Sequence, residues 1–147
     1  MRMKKFAILA AALVLCGLIY VVGFYRPRYE SDHALTLAEA KKHVTREIPS
    51  TARDIWILDQ CVGPGHFLHL LRFVEPDGGA ASWAERVTGA KGTTVPLLSR
   101  ADGEPRWPSW FFPSNISDGV YYRGQGTPIR TVWLDRQRSL VYFEESD

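Results

Sequence analysis

Cys61 and His66 flank the short run Val62-Gly63-Pro64-Gly65. Turn formers between two apolar stretches predict a hairpin that sets the two side chains opposite one another, with Cβ atoms about 4.5–5.5 Å apart. A thiol beside an imidazole is the arrangement of a cysteine nucleophile, and Asp59 or His69 would lie near enough to orient the base. The plainer reading makes Cys61 a small buried apolar residue and His66 an exposed turn residue. It is favoured, because most lone cysteines are inert. Cys61, His66 and His69 also spell C-x4-H-x2-H, but residues three apart on a strand point to opposite faces, so no metal site is expected.

The most distinctive stretch is Pro105-Arg106-Trp107-Pro108-Ser109-Trp110-Phe111-Phe112-Pro113. So many rings need a cover or a partner. Folded back, they form a lid over a sheet face, which is the favoured use because aromatic side chains dominate core burial. Left exposed, Arg106, Trp107, Trp110 and Phe111 are the residues expected to grip a partner protein, since Trp, Tyr and Arg dominate interface hot spots. Stacking on cell-wall sugars or burial in lipid headgroups are lesser uses of the same loop. Glu144, Glu145 and Asp147 read as a solvated acidic end. Asn115-Ile116-Ser117 matches a glycosylation sequon, a motif short enough to arise by chance. There is no Gly-x-Ser-x-Gly, no His-Glu-x-x-His and no phosphate-cradling glycine loop, so no cofactor is predicted and the common hydrolases are disfavoured.

The elements that must position these residues follow from composition and pattern. The 147 residues are 46% hydrophobic and 23% charged, with 12 Gly, 9 Pro and 2 Cys, which describes one globular domain behind an apolar leader. Of 18 basic residues, Arg2, Lys4 and Lys5 precede that leader; the remaining 15 face 16 acids. A near-neutral domain with interspersed signs offers no footprint for a phosphate backbone, so nucleic acid is not an expected partner.

Phe6 to Tyr25 contains no charge. As a helix it would cover roughly 30 Å, and its Leu, Ile, Val and Phe residues supply roughly −3 to −7 kcal/mol on an insertion scale. Residues 1–25 are therefore expected to be an uncleaved signal anchor, a single membrane span with the N-terminus in the cytoplasm. The small-residue cleavage site of a secretory signal is poor here, although secretion or lipid anchoring after processing is the alternative. Cys16 in Leu13-Val14-Leu15-Cys16-Gly17 approximates a lipoprotein box but lacks the small residue before the cysteine. Residues 26–35 would be a short tether, and residues 36–147 the extracytoplasmic domain.

Within that domain, Thr36-Leu37-Ala38-Glu39 reads as a capping box opening a helix that Ile48-Pro49 ends. Asp54 to Gln60 and His66 to Val74 read as hairpin strands, the second with large residues on both faces and hence central. Ala80 to Val87 suits a short helix closed by Gly89. Strands are expected near Val120–Arg123, Ile129–Asp135 and Leu140–Glu144. The predicted fold is α+β: an antiparallel sheet of about five strands with two short helices on one face, preceded by the transmembrane helix.

Ile48-Pro49-Ser50-Thr51-Ala52, Leu71-Arg72-Phe73, and Val132-Trp133-Leu134-Asp135 with Val141-Tyr142-Phe143 resemble segments of small membrane-anchored bacterial envelope proteins of unknown function. The resemblance implies an envelope domain and assigns no catalytic residue. The functional expectation is a non-catalytic protein-binding module of the bacterial cell envelope or periplasm. One specific form is an immunity or inhibitor protein against a secreted toxin or envelope hydrolase; a thiol-dependent enzyme using Cys61 and His66 is the alternative.

Overall fold

A computed structural model describes residues 12–17, 29–44, 46–63, 66–94, 107–111 and 116–147. Its centre is an antiparallel sheet of β1 (Tyr29–Glu30), β2 (Arg53–Gly63), β3 (His66–Val74), β4 (Thr93–Thr94), β5 (Gly119–Arg123), β6 (Ile129–Asp135) and β7 (Leu140–Ser146). The spatial order is β1-β2-β3-β7-β6-β5-β4. Three helical pieces accompany it: α1 (residues 12–17), α2 (Leu37–Ala40) and α3 (Ala80–Thr88).

Two parts of the expected fold need correction. The sheet has seven strands, because two-residue strands add an edge on each side. β1 arises from the presumed tether: Tyr29 pairs with Asp59, Ser31 donates its backbone N–H to the Ile57 carbonyl at 3.0 Å, and Leu35 bridges Ile55. Such short strands carry no periodicity that a sequence could reveal. The expected transmembrane helix is the second correction: among the described residues no helix is long and apolar enough to cross a membrane. Of Phe6 to Tyr25, only residues 12–17 are described, and the rest of that run lies outside the described residues.

Local chemistry accounts for the elements. The Glu39 N–H donates to Thr36 Oγ1 at 3.3 Å while the Thr36 N–H donates to Glu39 Oε2 at 2.8 Å, closing the capping box of α2. α3 ends at Gly89, whose φ of 67° is the left-handed conformation that glycine adopts without strain. Its Trp83 and Ala84 are buried, with Ala80 and Val87 at helical spacing partly buried beside them.

Both sheet faces are covered, which is why β3 and β7 are apolar on both sides. On the helix side, Ile57, Leu71, Phe143 and Val132 form one cross-strand row packed with Phe73, Val141 and Trp83. On the other side, Leu58, Leu70, Trp133 and Tyr142 pack with Phe111 and Ile116. Phe111 is 0% exposed and meets Tyr142 edge-on at 5.4 Å and Trp107 at 5.1 Å. The segment around Trp107–Phe111 is thus a lid over the sheet.

Candidate functional site

One pleat beyond the Ile57–Leu71–Phe143–Val132 row, the helix side of the sheet turns polar. Asp59 lies opposite His69, His69 opposite Glu145, and Glu145 opposite Arg130. Directly opposed residues share a face, so the four side chains form a row across β2, β3, β7 and β6. Tyr29, opposite Asp59, extends it onto β1.

The segment after α2 roofs this row. Arg46 pairs with Glu145 Oε1 and sets its guanidinium 5.4 Å from the centroid of Phe143. His43 stacks on Tyr29 with ring centroids 3.7 Å apart. Trp83 pins the roof from α3, its Nε1–H donating to the Glu47 carbonyl at 2.8 Å. Beneath lies a cleft of about 410 Å³, open to solvent and lined by Arg46, Phe67, His69, Pro128, Arg130 and Glu145 among others.

Its electrostatics centre on Glu145, which is 2% exposed and accepts from both Arg46 and Arg130, the Arg130 Nε–H at 3.1 Å. Two cations share one buried carboxylate. Burial, and then the neighbouring Arg130 guanidinium, pull Arg46 below the ordinary guanidinium value against the opposing pull of Glu145. Asp59 Oδ1 lies 3.0 Å from Nδ1 of the His69 ring. Chemically the cleft offers guanidinium N–H donors for an oxyanion and an imidazole beside a carboxylate.

The residues singled out by sequence are distributed differently. Cys61 faces Phe67, whereas His66 pairs with Gly63 across a register irregularity. His66 neighbours Phe67 along β3 and so points to the other face from Cys61. The expected Cys61–His66 opposition does not form; His66 is exposed, with Nδ1 4.0 Å from Asp147. The imidazole–carboxylate pair that forms is His69–Asp59. Among the described residues no group of three His, Cys, Asp or Glu could hold a metal ion.

Of the expected binding residues, Phe111 is core, Trp107 and Trp110 are half-buried, and Arg106 lies outside the described residues. Trp110 packs against Trp56 with centroids 5.9 Å apart. Glu145, read from sequence as part of a solvated end, is buried. The available signal was alternation along β7: Val141, Phe143 and Glu145 share one face, and the first two are apolar. Arg130 shares a face with Val132 and Leu134 along β6 in the same way, whereas Arg46 carried no such signal.

Comparison with known proteins adds nothing to this geometry: no family model matches the chain, and neither a curated protein nor a solved structure does.

Proposed function

We propose that the chain is a non-catalytic protein-binding module that engages its partner through the charged cleft on the helix side of its sheet. The observation that carries this reading is the Arg46–Glu145–Arg130 cluster at the open end of the row. Apolar residues at positions 46, 130 and 145 together would continue the Val141–Phe143 face at little cost to folding. Buried ion pairs, by contrast, recover their desolvation cost poorly and are weak contributors to stability. Two guanidinium groups gathered beside solvent are better explained by recognition, for which arginine's planar fork of donors is suited.

The non-catalytic part of the reading is supported by the hairpin register, which sets Cys61 opposite Phe67 and turns His66 to the other face. The lid segment supports it as well. Held by Phe111, it stabilises the sheet and leaves the open cleft on the other face for contact.

The test is cross-linked affinity capture of the full chain from its own cells, beside an Arg130→Glu variant shown by circular dichroism to be folded. One protein enriched with the native chain and lost with the variant is the expected result. Equal capture by both would place the contact elsewhere and refute the cleft as the binding surface.

A further inference from the structure

We infer that the cleft receives the carboxylate of an acidic side chain, Glu or Asp, presented by the partner between Arg46 and Arg130; this rests on the binding reading above. The charge count comes first. Arg46 and Arg130 bring two positive charges against the single carboxylate of Glu145, which leaves a surplus of one. Asp59 brings one further negative charge to the cleft, but it stands on β2, two strands from Glu145 and three from Arg130, so the surplus is local to the two arginines, and His43 is stacked on Tyr29. A surplus of one positive charge matches a carboxylate, whereas a phosphate monoester at roughly −1.5 to −2 would overshoot it.

The donors agree. A guanidinium carries five N–H groups. In the described bonds Arg46 commits Nη2 to Glu145, while Arg130 commits Nε to Glu145 and Nη1 to the Val87 carbonyl. Both arginines bond the same oxygen, Glu145 Oε1. The side chains are 26% and 39% exposed, so their uncommitted donors have access to the open side of the cleft. A second carboxylate there would complete an alternating array of two acids and two arginines, relieving the repulsion between the two cations.

The cleft also suits the stem that delivers such a group. Phe67, Pro128 and Phe143 line it with apolar surface, and about 410 Å³ lies within the range of sites that hold small ligands. A carboxylate on a short methylene stem would place its charge at the arginines and its carbons on the rings.

The experiment follows the arginine Nε–H signals of the full chain by NMR at constant ionic strength. The probes are a capped Glu-rich pentapeptide, its Gln counterpart and inorganic phosphate. The inference expects saturable shifts at Arg46 and Arg130 with the Glu peptide, binding at least about tenfold weaker with the Gln peptide, and a similar loss in Arg46→Gln. Arg46→Lys keeps the charge beside Glu145 without the fork, and should bind the Glu peptide with intermediate strength. If Arg46→Gln fails to fold, the two peptides on the native chain and Arg46→Lys decide. Absence of saturation, equal response to both peptides, or tighter binding of phosphate would overturn the inference. Should the peptides fail while Arg130→Glu still abolishes partner capture, the binding reading stands and only the carboxylate falls.

Discussion

Glu145 and Arg130 face one another across β7 and β6, Oε1 to Nε at 3.1 Å, with Glu145 reduced to 2% exposure. Arg46 closes on the same oxygen from the roof. A carboxylate so buried is tolerable only with its cations present, which makes the cluster sensitive to the loss of either sign. Glu145→Ala strands two guanidinium groups and should lower unfolding free energy by about 3 kcal/mol in urea denaturation, the low end of the range because Arg130 is partly solvated. A loss under about 0.5 kcal/mol would show that the cluster is not formed in solution.

The lid gives a second prediction. Phe111→Ala removes a fully buried ring that touches Trp107, Trp133 and Tyr142 and should cost about 3–5 kcal/mol. Trp107→Ala and Trp110→Ala should cost less, since both rings are half-buried. If Phe111→Ala unfolded at the native denaturant midpoint, the segment would not be covering the sheet.

Gly124 sits where β5 leaves the sheet against the end of α3. A Cβ there would lie 2.6 Å from the Thr88 carbonyl oxygen, and backbone atoms cannot rotate aside as a side chain would. Gly124→Ala should therefore destabilise by about 1–3 kcal/mol, measurable as a lowered thermal midpoint. A wild-type midpoint would contradict the close approach.

Alkaline titration reads the two faces separately. Burial raises the phenol of Tyr142 on the lid side and that of Tyr122 on the helix side above the ordinary value of 10.0. A group raised in the folded state favours folding while its phenol is neutral. That contribution is full below pH 10 and is lost as the pH rises through the folded value. Absorbance near 295 nm should show late ionisation steps above pH 10, and Tyr142→Phe and Tyr122→Phe should each remove one of them. A titration that keeps its late steps in both variants would contradict the burial.

Much of the scaffold was legible because its signals are local. The capping box at Thr36 and Glu39, the glycine stop at Gly89 and the apolar runs of β3, β6 and β7 all belong to short windows of sequence. The centrality of β3 followed from large residues on both its faces. What lay beyond reach depends on neighbours distant in the chain. Arg46 meets Glu145 across 99 positions, and no local pattern links the two. The Cys61–His66 expectation failed because β2 runs on to Gly63, so a small shift in register moved His66 to the other face. Glu145 looked solvated because acids near a terminus usually are; its burial is set by the sheet register and by the roof that carries Arg46.

The most direct test of the central claim is site-specific photo-cross-linking in the native cells. A benzoylphenylalanine replaces Phe67 at the cleft in one version of the chain and Tyr121 on the lid face in the other. The cleft site predicts a discrete protein adduct from position 67 that position 121 does not give, and that disappears when Arg46→Gln is added. Adducts from position 121 alone, or equally from both positions and indifferent to Arg46, would contradict it.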